Sequence, residues 1–297
     1  MVLKNFGIEI CEEGGFIKCT CDKIVGTEIH LDFPSVGATE NIMLAACLAD
    51  GQTLITNAAM EPEIVDLQNF LNRMGAKVEG AGTNIIKIQG VKTLKDVSYT
   101  VMPDRIEAGT LLCATAITGG NIELQNVIPD HIYPVLYKLE ECGCKIETRR
   151  TSVILQAPKK LQPIEIKTMP HPGFPTDMQS IFGAMLSTAK GTSMIIENIF
   201  ENRYKYTNEL IRMGAKIKVE GKMAIIKGVR KLSGAEVYVS DLRGGAALVL
   251  AGLGAKGITT VNNIEYIQRG YENLSEKLNT LGAKITIREG DRGEEKK

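Results

Sequence analysis

Apolar and polar positions alternate along this chain in two rhythms that follow one another in a fixed order. Ile64, Leu67, Leu71 and Met74 recur at alternating three- and four-place steps, which is one face of a helix. Pro62 suits the first turn of that helix, where a missing N–H costs nothing. Gly75 is placed for a left-handed cap at its end. Beyond it, KVEGAG leads into TNIIKIQGV, where the rhythm shortens to that of two strands joined by a hairpin.

The same succession recurs. Gly7, Gly75, Gly143, Gly214 and Gly282 each end a helical stretch and precede a strand, and they are almost evenly spaced; only the interval from Gly143 to Gly214 is slightly longer than the others. A fixed period of this kind decides the fold before any local reading does. Each complete unit opens on Ser35, Asp104, Asp177 or Asp241, all at closely similar distances ahead of their repeat glycines. A small, apolar segment follows (NIMLAACLA, GTLLCATAI, SIFGAMLSTA, GGAALVLAGLGA), then a glycine turn and strand, then the second helix. The unit reads β-α-β-α-β-β. Its first helix is apolar almost all round, so it belongs inside a core. These helices are expected to pack on one another with sheets outside; the competing arrangement is an open α/β sheet with helices on both faces. Gly7 has almost no unit in front of it.

Length predicts two domains. The boundary is expected near VMPDRIE, where Pro103 interrupts after a strand, giving residues 1–102 and 103–290, with 291–297 a polar tail. Lys plus Arg equals Asp plus Glu at 35 each, so no net basic field draws the chain to nucleic acid or an anionic membrane. No apolar run is long enough to span a bilayer, and no signal-peptide pattern opens the chain. Seven scattered cysteines fit reduced thiols in a cytoplasm. Cys19 with Cys21 and Cys142 with Cys144 lack a partner pair at zinc-finger spacing, so no metal is expected.

Four clusters carry chemical content. Phe33, Pro34, Ser35, Val36 and Gly37 form a strand end, turn and helix start, which reads either as an anion-holding turn or as a plain Ser35 cap. In HPGFPTDMQ, a stiff loop presents Asp177, either as a base toward a hydroxyl or as a cap; a helix N-terminus would weaken it as a base. Arg203 and Arg269 occupy matching places, at the mouth of the second helix ahead of Gly214 and Gly282. Their planar forks suit a small dianion if they converge, and surface salt bridges otherwise. PDRIEAGT and SDLRGG set an acid beside a basic residue at helix starts, either to orient those arginines or to cap.

Together FPSVGAT, EPEIVD, PDRIEAGT, HPGFPTDMQ, IFENR and RGYE resemble the UDP-N-acetylglucosamine 1-carboxyvinyltransferases, enolpyruvyl transferases of peptidoglycan precursor synthesis. The resemblance runs from the start to about Gly290. It implies two domains of three such units each, forming an inside-out α/β barrel with the active site between them. It implies addition of the sugar 3-hydroxyl to C2 of phosphoenolpyruvate, then loss of phosphate, without metal or organic cofactor. On this resemblance Asp177 is the acid proposed as base. Arg203 and Arg269 bind the phosphate or carboxylate of phosphoenolpyruvate. Phe33 to Gly37 hold the uridine diphosphate, Ile199 makes a backbone contact to the nucleotide sugar, and Asp241 and Arg243 line the cleft.

The sequence also departs from that pattern. The family's first domain has two leading units, of which this chain shows only the end of the second. The Lys-Asn pair that grips phosphoenolpyruvate, the loop carrying a Cys or Asp general acid, and upstream arginines have no counterpart, and Cys11 already lies past the second unit's helix. The expectation is therefore an incomplete first domain that exposes apolar surface and self-associates, and turnover near background for this chain. The alternatives are a non-catalytic nucleotide-sugar binder and another enolpyruvyl transferase of the same fold.

Overall fold

A computed structural model describes residues 2–288; the expected polar tail, 291–297, lies outside them. The chain forms two compact units. One runs through Pro103 and takes in Met169–Phe174; the other holds Asp104–Thr168 and the chain from Pro175 on.

In the first unit a 3₁₀ turn, Val2–Phe6, leads through Gly7 into a hairpin of β1 (Glu9–Glu13) and β2 (Phe16–Thr20). One full repeat follows: β3 (Glu28–His30), α1 (Val36–Ala46), β4 (Gln52–Thr56), α2 (Pro62–Arg73), β5 (Lys77–Glu79) and β6 (Ile85–Gln89). The sheet order is β3-β4-β6-β5, with β3 and β4 parallel and the other pairings antiparallel. Ile86 and Ile88 of β6 point inward and Ile85 outward, the period-2 pattern of a half-buried strand. They meet Ile42 and Met43 of α1 and Ile64 and Leu71 of α2 in one core. Leu44 and Leu48, by contrast, are about half exposed, as are Phe16 and Ile17 of the hairpin or more so, so the unit does present apolar surface.

The second unit holds three repeats. The first comprises α3 (Arg105–Thr118), β7 (Asn121–Gln125), α4 (Tyr133–Glu141), β8 (Lys145–Arg149) and β9 (Ser152–Gln156). The next comprises β10 (Glu165–Lys167), α5 (Gln179–Leu186), β11 (Thr192–Ile196), α6 (Tyr206–Arg212), β12 (Lys216–Glu220) and β13 (Met223–Lys227). The last comprises β14 (Glu236–Tyr238), α7 (Leu242–Gly254), β15 (Thr260–Asn262), α8 (Glu265–Gln268) and α9 (Leu274–Thr280). The helices α3, α5 and α7 pack on one another, and every residue of α5 is buried. Small residues permit the approach: a Cβ on Gly109 would lie 2.8 Å from Met178, and one on Gly254 would lie 3.0 Å from Ile117. The central-helix arrangement is therefore the observed one. The described strands form separate open sheets of two to four strands and do not close into a barrel.

All five repeat glycines adopt left-handed backbone, with φ of 80°, 99°, 92°, 90° and 98°. Two expected strands are not formed. Residues 91–102 have no ladder partner among the described residues; instead the Tyr99 hydroxyl donates to the Asp66 carboxylate at 2.8 Å and its ring packs edge-on to Phe70. After Gly282, Ile285 is held by the Asn279 side chain, which accepts from its N–H and donates to its C=O at 2.8 Å each. Asn72 holds Val78 in the same way in the first unit, but there β6 completes a strand. A segment becomes a strand only when a neighbour takes its outward N–H and C=O groups, and Ile285 has no such neighbour among the described residues. No described helix is long and apolar enough to cross a membrane.

Candidate functional site

Asp177 sits on a 3₁₀ turn, Thr176–Met178, that runs directly into α5. Its carboxylate caps nothing. Arg203 donates Nη2 to Oδ1 at 2.7 Å, and Arg243 donates Nε and Nη2 to Oδ2 at 3.1 and 3.0 Å. Arg203 comes from the loop between β11 and α6, and Arg243 from the first turn of α7. Each guanidinium rests on an aromatic face, Arg203 on Phe200 at 5.1 Å and Arg243 on Tyr271 at 5.2 Å. The Tyr271 ring is in turn fixed by a buried hydroxyl contact to Thr110 Oγ1 at 2.9 Å. Burial pushes the Asp177 pKa up, but Arg243 and Arg203 pull harder together, and the net position is below the usual carboxylate range. Asp177 is therefore an anion at neutral pH. Arg203 Nε and Arg243 Nη1 are buried donors with no acceptor among the described residues, so each arginine has hydrogen-bonding capacity beyond Asp177.

The acids at the neighbouring helix starts serve the helices. Asp104 accepts from Ile106 N and Glu107 N at the start of α3, and Asp241 accepts from Gly244 N at the start of α7. Arg243 turns away from Asp241 toward Asp177, and Glu107 pairs with Lys277 at 2.6 Å. Arg269 ends α8 and lines a hollow of about 540 Å³ with Asp104, Glu107, Tyr271 and Asn273. Arg243, rather than Arg269, shares an acid with Arg203; Arg269 is linked to that cluster through Tyr271, two places along the chain. Neither Arg243 as the second clamp nor Tyr271 as its support follows from spacing, because their contacts span 66 and 161 residues. The Ile199 N–H is already taken, donating to Glu197 Oε1 at 2.8 Å.

In the first unit, Ser35 caps α1: its hydroxyl accepts from Ala38 N at 3.3 Å, and its carbonyl accepts from Thr39 Oγ1 at 2.9 Å. Phe33 holds the Ser35 N–H through its carbonyl at 2.7 Å and leaves its ring 44% exposed. The plain-cap reading of this turn is thus fulfilled, while Pro34, Val36 and Gly37 stay accessible beside it. The thiols of Cys113, Cys142 and Cys144 are buried and pushed up, Cys144 to about 11, so they are poor nucleophiles. Among the described residues no cluster of three or more His, Cys, Asp or Glu is set to hold a metal.

Comparison with known proteins gives one consistent answer. The model of the family EPSP synthase (3-phosphoshikimate 1-carboxyvinyltransferase) matches residues 1–278. The chain is 55% identical over 284 residues to UDP-N-acetylglucosamine 1-carboxyvinyltransferase 2 of Caldanaerobacter subterraneus subsp. tengcongensis, covering 95% of this chain and 68% of that protein. It is 54% identical over 288 residues to the enzyme of the same name from Carboxydothermus hydrogenoformans, covering 95% and 69%. Among solved structures, the enolpyruvyl transferase NikO from Streptomyces tendae superposes with a TM-score of 0.86 at 25% identity, covering 95% of this chain and 70% of that one. An EPSP synthase from Acinetobacter baumannii shares the fold at a TM-score of 0.71 and 22% identity, covering 93% and 68%.

Proposed function

This chain belongs to the EPSP synthase family of enolpyruvyl transferases, in its UDP-N-acetylglucosamine 1-carboxyvinyltransferase group, and from that membership we propose how its residues serve the transfer. The reaction moves the enolpyruvyl group of phosphoenolpyruvate to the 3-hydroxyl of UDP-N-acetylglucosamine, with release of inorganic phosphate, as a cytoplasmic step of peptidoglycan precursor synthesis. The observation that carries the assignment is the Asp177 carboxylate held between Arg203 and Arg243, each with a buried donor to spare.

Asp177 accepts the hydrogen bond of the sugar hydroxyl and takes its proton as the oxygen attacks C2; the C2=C3 electron pair takes a proton at C3 from the general acid that the family carries on its loop, and a C3 proton is lost as phosphate leaves. Clamped by two arginines it is a weak base. Phosphoenolpyruvate brings its own anionic groups, which compete for the same guanidinium donors. As the arginines turn to the incoming anion, Asp177 loses part of its stabilisation and becomes more basic. The arginines then stabilise charge on the transferring group. Arg269, in the adjoining hollow, supplies a further fork for phosphate or carboxylate. Phe33 to Gly37 receive the uridine diphosphate part, with Ile199 against the nucleotide sugar; Asp241 serves by fixing the helix start that carries Arg243.

Isothermal titration with each substrate, beside an assay of phosphate release, tests this reading. The chain is expected to bind UDP-N-acetylglucosamine, and Arg269→Ala is expected to weaken phosphoenolpyruvate binding by about tenfold to a hundredfold, the cost of one charge-assisted fork. Nucleotide-sugar binding should change by less than about threefold, within the scatter of a substitution outside that contact. An Arg269→Ala chain that binds phosphoenolpyruvate as its parent does would remove Arg269 from the site.

A further inference from the structure

Glu197 departs from the repeat in a way that the internal symmetry makes measurable. The backbone N–H groups of Leu31, Thr168 and Val239 donate to Thr56, Ile196 and Asn262, so these three residues are equivalent. In two of the repeats an asparagine with left-handed backbone follows the strand, and its amide reaches back to that position: Asn57 to Leu31 O at 2.7 Å and Asn263 to Val239 O at 3.3 Å. Asn126 has the same conformation after β7. In the repeat that carries Asp177, the asparagine making this bond is Asn198, to Thr168 O at 3.2 Å. It stands one place later, and Glu197 fills the vacated position. This is also the repeat that is longer than the others, between Gly143 and Gly214.

Glu197 is 2% exposed. Its carboxylate accepts four hydrogen bonds: from Thr168 Oγ1 at 2.8 Å, Ile199 N at 2.8 Å and Phe200 N at 3.1 Å on Oε1, and from Thr176 Oγ1 at 2.9 Å on Oε2. Two of these partners depart from their repeat equivalents as well. Thr168 puts a hydroxyl where the others have Leu31 and Val239. Thr176 follows Phe174 and Pro175 as Ser35 follows Phe33 and Pro34, yet Ser35 caps its helix whereas Thr176 donates to Glu197. A buried carboxylate is costly unless its lone pairs are met, and two positions of this one repeat, Thr168 and Thr176, depart from their equivalents to meet them. Departures from a local rule concentrate where function is built.

We infer that Glu197 is a positioning residue for Asp177 and Arg203, an inference that rests on the site reading above. One of its oxygens holds the turn in which Thr176 precedes Asp177. The other holds the start of the loop that runs from Ile199 through Phe200, whose ring carries the Arg203 guanidinium, to Arg203 itself. The single side chain thus sets the separation of the two segments that meet in the Asp177–Arg203 contact. The Ile199 and Phe200 N–H groups can only donate, so Oε1 must be an acceptor, and Oε2 takes the Thr176 hydroxyl.

The readout is the side-chain Nε–H resonance of Arg243 in ¹⁵N-labelled protein, since that N–H donates to Asp177. Asp177→Asn is the reference and must displace it; if it does not, the site reading itself fails. Thr176→Val removes one hydroxyl and is expected to displace the resonance in the same direction and to lower the melting temperature by a few degrees, since one oxygen of a buried carboxylate loses its donor; Thr176→Ser is expected to restore both. Glu197→Ala is expected to speed hydrogen exchange at the Ile199 and Phe200 amides by about tenfold or more, as their acceptor is lost. With Asp177→Asn effective, a Thr176→Val protein whose Arg243 resonance stays at the parent position would overturn the inference, leaving Glu197 as a loop-holding residue only.

Discussion

In a chain that also carries the family's leading units, Asp177→Asn is expected to lower the rate of phosphate release by about a hundredfold to ten-thousandfold, the usual worth of a positioned acid–base group. The same change should leave phosphoenolpyruvate binding as tight as in the parent or tighter. The reason lies in the clamp. Asp177 occupies three of the donors of Arg203 and Arg243; a neutral amide competes for them less well than a carboxylate, so more of their capacity is free for an anionic ligand. Titration calorimetry beside the kinetic assay separates the two effects. A variant that lost binding and kept its rate at saturation would show that Asp177 orders the anion site and takes no proton.

The same substitution has a signature in stability. The two guanidinium groups, 17% and 14% exposed, would be left facing each other without their shared anion. Solvent reaches Asp177, so the cost is well below that of a fully buried pair, about 2 kcal/mol. Its pKa is depressed in the folded protein, so its contribution is present above the unfolded value, about 3.9, and is lost as pH falls through the folded value. The melting temperatures of parent and variant should therefore differ fully at pH 7 and converge below about pH 4. A gap that persisted unchanged into acid would mean that the charge on Asp177 is not what stabilises the cluster.

What could be read in the sequence, and what could not, divides along a physical line. The repeat glycines were legible because left-handed backbone at a helix end is cheap only for glycine. The buried helices were legible because segments such as SIFGAMLSTA offer no polar face to solvent. The segments before Pro103 and after Gly282 look like strands by composition, but a strand is a relation between two segments, and their neighbours are not in place. At the site, Asp177 stood out because a stiff loop delivered it, and Arg203 because it occupies the place that Arg269 occupies in the next repeat. Arg243 looked like the partner of Asp241, the obvious cap just before it in the chain; its true acid lies 66 residues off. Glu197 was illegible for another reason. As one polar residue closing a strand it is unremarked, and only the geometry of the other repeats shows that an asparagine belongs there.

Gly228→Ala is expected to destabilise the second unit by about 3 kcal/mol or more, by overpacking against backbone. Gly228 follows β13, and a Cβ there would overlap the Ala189 carbonyl oxygen and lie 2.7 Å from its carbon. Nothing flexible stands in the way to move aside. The approach is tied from both sides: Gly228 N donates to Gly191 O at 2.9 Å, and Val229 N donates to Ser187 O at 2.8 Å. The first unit repeats this arrangement, with Gly90 against Ala49, and Val91 N on Cys47 O at 2.8 Å. The repeat between them shows why the glycine is needed. Ala157 makes the equivalent bond to Gly120 O at 3.0 Å, and it tolerates a Cβ because α3 runs on to a left-handed cap at Gly119, so no turn like the one holding Ala49 or Ala189 lies across it. Gly221→Ala is the control, since its φ is +58° but nothing lies within 4 Å of the new Cβ; it should cost only the left-handed strain, about 1–2 kcal/mol. Calorimetry on the two variants should rank Gly228→Ala clearly below Gly221→Ala in melting temperature. Equal melting temperatures would mean that the turn after α5 yields to a methyl group, and that the close backbone packing is not what joins helix to sheet in this repeat.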